Sequence, residues 1–408
     1  MLDAFKRALG GGDPAARRVD LEAERGRLLE GIEDRRRALE ALRGRRLEAL
    51  FPSGAVEGFV APEAGGPRFP GLDPINLEED EPQSWAVAVA NRIVDGFPGG
   101  EALLSQLDRT WAAYAEANWL RVVPGGPHGE LLAWRDQALA AWDVPRDVPL
   151  YLTQGGGHRV YGCKAPFVVL DLFALAPLDE EERRFVVASS LGPLFFGYLR
   201  IFAFHRLMEV IDKMPSVSGL VAKGLGLIPV LGHTISRGLE LARSLNDQLI
   251  RKTNLIAGVR QHVLCDRLAV LALGDPAPAR RAFAKIAVGA QPDLGAVHAQ
   301  LVAQGAALHA RLEQGDVDLQ MLSVIGPGAP FAAYRAHRLD QWLAGDRADR
   351  LRRGYFVTRE RLAEYRRADA ALEDELRLHQ QRLLELHERL TRVEADLLRA
   401  AAAEEPAG

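Results

Sequence analysis

Helical periodicity extends over most of this 408-residue chain, and a short β-type pattern interrupts it near Pro149. There the sequence changes to two short apolar runs, 150–153 and 166–170, separated by the glycines at 155–157. Apolar runs of this length, bounded by glycine and proline, are typical of buried strands, and we expect these two to form a hairpin. The chain is therefore predicted to be mainly α-helical with a small β-hairpin or sheet, an α+β fold.

A helix start follows the predicted strands directly. Asp179 can accept a hydrogen bond from a free N–H of the first helical turn, and Glu182 stands three residues later, where its side chain can reach back. The apolar helix that begins here is expected to continue to about Met214. Helical patterns resume after it and extend to about Gly354.

Apolar residues at heptad spacing mark both ends of the chain. Near the N-terminus they are Leu21, Leu28, Ile32, Leu39 and Leu42. Near the C-terminus one phase comprises Leu362, Leu376, Leu383, Leu390 and Leu397, and the other comprises Tyr365, Leu372, His379, Leu386 and Val393. Such spacing predicts amphipathic helices with a coiled-coil seam, spoiled in the C-terminal helix only by Asp369 and His379. Two arrangements remain open: the two helices fold back on each other in one chain, or they pair with a second copy or a partner protein.

Changes in composition divide the chain into five predicted segments. A stretch rich in proline, glycine and acidic residues follows the first helix and reads as a linker. The predicted segments are an N-terminal helical arm at 1–51, this linker at 52–82, a core at 83–355, a C-terminal coiled-coil helix at 356–402 and a disordered tail at 403–408.

Charge and cysteine content exclude several classes of function. With 51 Lys and Arg against 55 Asp and Glu, no overall field draws the chain to nucleic acid. The two cysteines, Cys163 and Cys265, cannot form a disulfide scaffold, and the charged N-terminus lacks the apolar stretch of a secretory signal. We therefore expect a cytoplasmic protein. The apolar run Gly219–Gly232 is about half the length of a membrane-spanning helix, so it is expected to lie in an interior or at a bilayer surface.

The strand-then-helix stretch 151–199 contains Ala-Pro-Phe-Val-Val-Leu, then Leu-Asp-Glu-Glu-Glu-Arg-Arg-Phe-Val-Val, then Ala-Ser-Ser-Leu-Gly-Pro-Leu-Phe-Phe. It resembles the HtpX-like and CAAX-endopeptidase-like zinc metallopeptidases, metallopeptidase family 48, in which such a helix carries H-E-x-x-H. When the helices are aligned on the frame residues Leu191 and Gly192, three functional positions are replaced. The first zinc histidine falls on Ser189, the general-base glutamate on Ser190 and the second histidine on Pro193.

The resemblance extends over about residues 95–355 and includes a later helix. The family's third zinc ligand is a glutamate four residues before the Asp of an Asp-Arg pair. This chain keeps that pair as Asp266 and Arg267 and has His262 at the ligand position. A segment resembling the family's closing His-Pro-x-x-x-x-Arg begins with Ala329 in place of the histidine.

These replacements remove the chemistry of a zinc peptidase. Serine hydroxyls are poor zinc ligands and weak bases, and proline has no donor atom and costs about 3 kcal/mol inside a helix. We therefore expect Pro193 to kink or break the helix. The pair His205 and Glu209 cannot rebuild the site, since His205 lies about 18 Å along an ideal helix from Pro193. The prediction is a chain with no zinc, no other cofactor and no catalytic residue.

The sequence thus predicts a pseudopeptidase, a binding, regulatory or scaffold subunit that acts through its core and its helical arms. One alternative is a metalloendopeptidase relative that is active through a rearranged site or together with an active paralogue. A second alternative is a peripheral membrane-binding protein that docks through the run Gly219–Gly232. A protein partner or self-association is expected through the heptad leucines and the N-terminal helix.

Overall fold

The computed structural model is mostly helical and contains one small mixed sheet, so the predicted mainly α-helical class is confirmed. It describes residues 14–50, 68–78, 100–144, 147–199, 251–290, 292–313 and 331–404. Predicted features outside the described residues are the run Gly219–Gly232, the pair His205 and Glu209, Ala329, residues 405–408 and most of the linker. The chain divides into two compact units, one made of Met1–Ala55, Asp247–Leu249 and Ala363–Gly408, the other of Val56–Asn246 and Ile250–Leu362.

The smaller unit is built on two long helices, α1 (Pro14–Leu50) and α12 (Ala370–Glu404). Their shared seam consists of Leu28, Ile32, Leu39 and Leu42 of α1 with Leu372, Leu376, Leu383, Leu390 and Val393 of α12. Ion pairs flank it at both ends: Arg46 Nη2 lies 2.8 Å from Glu373 Oε1, and Arg389 Nη2 lies 3.1 Å from Glu24 Oε1. The end of α1 thus meets the start of α12, and the two helices are antiparallel neighbours within one chain.

The C-terminal helix is not continuous over 356–402, which corrects the predicted boundary. Helix α11 (Arg359–Ala368) ends before Asp369, and α12 starts after it. The Asp369 carboxylate accepts a hydrogen bond from the backbone N–H of Leu372 (3.1 Å), as a helix-capping side chain does. Leu362 belongs to the larger unit, so it is not a member of the seam between α1 and α12.

The larger unit contains the sheet and the remaining helices. Its first elements are α2 (Gly100–Asn118), β1 (Leu120–Arg121), α3 (Glu130–Ala141), β2 (Leu150–Thr153), β3 (Arg159–Tyr161) and β4 (Phe167–Asp171). The strand order is β1-β2-β4-β3, with β2 parallel to β4 and both edge strands antiparallel to their neighbours. The predicted two-stranded hairpin is therefore wrong: the two apolar runs are parallel neighbours, because β3 lies beyond β4 and returns the chain.

The two faces of the sheet carry different side chains, as the two-residue period of a strand requires. Leu150, Leu152, Val168 and Leu170 face the main core of the unit. The opposite face is largely aromatic and packs against α2; its members are Tyr151, Tyr161, Phe167 and Val169, with Trp111, Ala115 and Trp119. Both faces are covered, which explains why β4 reads as an uninterrupted apolar run.

After the short helix α4 (Leu172–Leu175) comes the apolar helix α5 (Glu180–Phe196). The predicted capping box is confirmed, since Asp179 accepts from the N–H of Glu182 (3.0 Å) and the Glu182 carboxylate accepts from that of Asp179 (2.9 Å). The predicted extension to Met214 is wrong. The helix continues for one turn past Pro193 and then stops at Gly197, whose φ of 71° is left-handed.

Among the described residues, the larger unit also contains α6 (Arg251–Leu273), α7 (Ala277–Val288), α8 (Leu294–Glu313), α9 (Ala332–Leu343) and α10 (Asp346–Arg352). Helix α5 lies between the sheet, α3, α6 and α7. Its buried residues, with those of α6 and α9, form most of the centre of the main core. In the part of the chain that the structure describes, no helix is both long and apolar enough to cross a membrane.

Part of the predicted linker is packed into the core. Within residues 68–78, Phe69, Leu72 and Leu77 are at most 1% exposed. The Asn76 side chain donates to the carbonyl of Val357 (2.7 Å) and accepts from its N–H (2.8 Å). The glycines and prolines of this segment obscure any helical or strand periodicity in its sequence. Several of its backbone groups pair with side chains instead of with a helix or a neighbouring strand, so the segment can be buried.

Candidate functional site

The candidate site lies where α5 crosses α6. Gly192 is the contact point: a Cβ atom at this position would lie 2.5 Å from Cys265 Sγ and 2.9 Å from its Cα. Only glycine therefore allows the two backbones to approach so closely. This approach brings the Ser189 side of α5 against Asp266 of α6, and Leu191 is fully buried in the same core.

A buried hydrogen-bonded ion pair occupies the centre of the site. Arg335 of α9 donates from Nε to Asp266 Oδ2 (2.8 Å) and from Nη2 to Oδ1 (2.7 Å). Ser189 Oγ donates to the same Oδ1 (2.7 Å). Asp266 is 0% exposed and Arg335 7% exposed, so water contributes little to their solvation. Burial by itself lowers the pKa of Arg335, but the Asp266 carboxylate raises it above its usual value, and the guanidinium stays charged.

A second polar group lies where the loop between β2 and β3 meets Asp171, at the end of β4. The Asp171 carboxylate accepts hydrogen bonds of 2.9 Å from the backbone N–H groups of Gly155, Gly157 and Phe173. Although burial raises the pKa of Asp171, these hydrogen bonds outweigh it and hold the pKa below the usual value. The N–H of Asp171 in turn donates to Nδ1 of His158 (3.1 Å), which sets the orientation of that ring.

Two half-buried imidazoles share the region around Arg335. Burial, followed by the charge of Arg335 and by His158, lowers the pKa of His262 to about 3. Burial also lowers the pKa of His158 to about 4, with Asp171 opposing and Arg335 adding to the effect. Both imidazoles are therefore neutral at pH 7, and the effect of His158 on the pKa of His262 indicates that the two rings lie near each other.

The hydrogen bond to His158 decides which of its nitrogens carries the proton. Because Nδ1 accepts from a backbone N–H, the neutral ring carries its hydrogen on Nε2. A metal-bound histidine needs a free lone pair on the coordinating nitrogen and usually donates from the other one. In this arrangement His158 is thus a hydrogen-bond donor at Nε2 and not a metal ligand.

The structure brings some of the predicted positions together and separates others. Ser189 touches Asp266, and His262 lies one helical turn before Asp266 on α6. Ser190 Oγ donates to the carbonyl of Val186 (2.7 Å) within its own helix. Arg267 points elsewhere: its Nη1 donates to the carbonyl of Leu77 (2.7 Å). Pro193 lies in the last turn of α5.

Two residues of the site were not predicted from sequence. Arg335 is the seventh residue of the segment that begins at Ala329 and so matches the arginine of the His-Pro-x-x-x-x-Arg pattern. That match could have marked Arg335 as a residue of the site. His158 carried no such signal, because a histidine after three glycines is typical of an ordinary turn. Its place beside His262 depends on the pairing of β3 with β4.

Comparison of the chain with protein-family models, with curated proteins and with solved structures finds no match. Within the described ranges, no three or more His, Cys, Asp or Glu side chains are grouped so that they could hold a metal ion. The chemistry of the site is that of its own groups: a neutralised Asp266–Arg335 pair, a serine donor bound to it and two neutral imidazoles.

Proposed function

We propose that this protein is a catalytically inactive relative of the family 48 zinc metallopeptidases that serves as a binding, regulatory or scaffold subunit. The observation that carries the proposal is the hydrogen bond from Ser189 to Asp266. At the position of the first zinc histidine, the hydroxyl donates to a carboxylate that is already paired with Arg335. A hydroxyl committed as a donor in a buried ion pair is a structural group and offers little to a zinc ion.

The other substituted positions support the same function. Ser190, at the position of the general base, donates its hydroxyl to a main-chain carbonyl. Pro193, inside the last turn of α5, has no side-chain donor atom and cannot take the place of a zinc histidine. His262 is the one nitrogen ligand at the four replaced positions, and a catalytic zinc site takes three protein ligands.

A binding role fits the construction of the smaller unit. The heptad leucines Leu376, Leu383 and Leu390 are buried in the seam between α1 and α12, so this seam is already filled within the chain. The outward faces of α1 and α12 carry many Arg, Glu and Asp side chains. A partner protein would therefore contact the charged outer faces of this helix pair rather than the leucines.

The first test is metal content together with proteolysis. We expect wild-type protein and the variant His262→Ala to contain the same amount of zinc by elemental analysis. Neither should cleave casein, with or without a chelator. Stoichiometric zinc that disappears in His262→Ala, or cleavage that a chelator abolishes, would overturn the proposal and favour the metalloendopeptidase alternative.

The second test rebuilds the site that the resemblance implies. The variant Ser189→His, Ser190→Glu, Pro193→His and His262→Glu restores all four family residues on α5 and α6. If these helices form a metallopeptidase-like frame, the variant should bind one equivalent of zinc more than its matched control, in which Ser189→Ala replaces Ser189→His. A folded variant, checked by circular dichroism, that gains no zinc would contradict the family assignment.

A further inference from the structure

A pair of histidines lies between α8 and α9, away from the positions discussed so far. The two helices pack closely at Gly305, where a Cβ atom would lie 2.6 Å from the Cβ of His337. One turn further along α8, the ring of His309 meets those of His337 and Tyr334, with centroids 5.9 and 5.8 Å apart. Close backbone packing thus brings two imidazoles from different helices into contact.

The separation of the two imidazoles suits a shared metal ion. With a Zn–N bond of about 2.1 Å and a ring centre about 1.1 Å behind the nitrogen, two histidines on tetrahedral zinc have centroids about 5.2 Å apart. A linear arrangement with the same bonds places them about 6.4 Å apart. The observed 5.9 Å for His309 and His337 lies between these limits, with the ring planes inclined by 41°.

Solvent reaches the pair His309 and His337. Both rings are half-buried, so the remaining coordination positions can be filled by water.

The one carboxylate on α9, that of Asp340, already has two partners. Asp340 accepts from Arg280 Nε (2.9 Å), and its other oxygen lies 2.9 Å from Nε2 of His298. Two imidazoles are thus the ligand set that the described residues supply. Nitrogen ligands favour late first-row ions over Mg²⁺ and Ca²⁺, with Cu²⁺ binding most tightly.

We propose that His309 and His337 form a site for an exchangeable divalent transition-metal ion that bridges α8 and α9, with water completing the coordination. This site shares no residue with the replaced zinc positions. It is therefore independent of the proposed function.

The test is isothermal titration of the full-length protein with NiCl₂ and with ZnCl₂ at pH 7.5. Wild type and the control variant His128→Asn, changed in the loop before α3, should each bind one equivalent. His309→Asn and His337→Asn should each lower the affinity at least tenfold, and the double variant should lose little more. Unchanged affinity in both single variants, or equal binding of MgCl₂, would overturn the proposal.

A second measurement covers the case in which a variant does not fold. Diethylpyrocarbonate modifies accessible imidazoles, so we expect zinc to protect His309 and His337 in the wild-type protein. His128 serves as the internal reference and should be modified equally with and without zinc. Absence of protection at both His309 and His337 would contradict the metal site, whereas the amount of zinc lost in His262→Ala reports separately on the proposed function.

Discussion

At the scale of single residues, the buried Asp266–Arg335 pair dominates the candidate site. A buried ion pair gains stability only when its hydrogen bonds are nearly complete, and removal of one partner leaves an uncompensated charge. Ser189 supplies a third hydrogen bond to Asp266. Ser189 thus helps Arg335 to satisfy the buried carboxylate of Asp266 with hydrogen bonds from protein groups.

The two neutral imidazoles predict a loss of stability in acid. The pKa values of His158 and His262 in the folded protein, about 4 and about 3, lie below the ordinary value of 6.5. Between these limits the unfolded chain binds more protons than the folded one, so stability is present above pH 6.5 and is lost as the pH falls. We expect each histidine to account for on the order of 1–2 kcal/mol between pH 7 and pH 5.

Urea unfolding at pH 7 and pH 5 measures this effect. The variants His158→Gln and His262→Gln should each show a smaller difference between the two pH values than wild type. The variant His128→Gln, altered outside this region, should keep the wild-type difference. If all three variants retain that difference, His158 and His262 do not cause it.

At the scale of elements, the packing of α1 on α12 depends on seam leucines. Leu383 is 8% exposed within the seam, whereas Leu378, on the same helix, is 51% exposed. We expect Leu383→Ala to reduce the free energy of opening of this helix pair by about 2–5 kcal/mol, since it removes buried apolar volume. Leu378→Ala should change it by no more than about 0.5 kcal/mol.

Hydrogen-exchange mass spectrometry on peptides of α1 and α12 reports this opening. Faster exchange in both helices for Leu383→Ala, with wild-type rates for Leu378→Ala, is the expected result. Because the pair forms within one chain, the rates should not depend on protein concentration. Slower exchange at higher concentration would instead indicate that α12 pairs between chains.

At the scale of the whole chain, the segment 68–78 is a structural part of the larger unit. Leu77 is fully buried, and its carbonyl accepts from Arg267, while Arg347 donates to the carbonyls of Ile75 (3.1 Å) and Glu78 (3.0 Å). We expect Leu77→Ala to lower the free energy of unfolding by about 2–5 kcal/mol.

Tryptophan fluorescence during urea unfolding can follow this loss, since Trp142 and Trp342 are buried in the same unit. The matched control is Ile75→Ala, in the same short helical turn but only half-buried, which should cost clearly less. If Leu77→Ala and Ile75→Ala are equally mild, the segment behaves as the linker that its composition suggests.

Local patterns were sufficient where neighbouring residues along the chain determine the structure. The capping box of Asp179 and Glu182 is complete within three residues, and the heptad residues of α1 and α12 were identified from their spacing. The break at Asp369 coincides with a polar residue that the heptad pattern had already marked as an exception. The strand pairing was not predictable, because β2 and β4 are joined only after the chain has passed through β3.

Sequence alone specifies the chemical groups: serines and a proline at the positions where the proposed family has zinc ligands and a base, and a histidine at position 262. The contacts of these groups, and so their chemical roles, arise only in the folded chain. Ser189, Asp266 and Arg335 come from three helices far apart in the chain, and His158 comes from a sheet loop. Their hydrogen bonds and protonation states follow from burial and long-range contacts, which no local sequence pattern specifies.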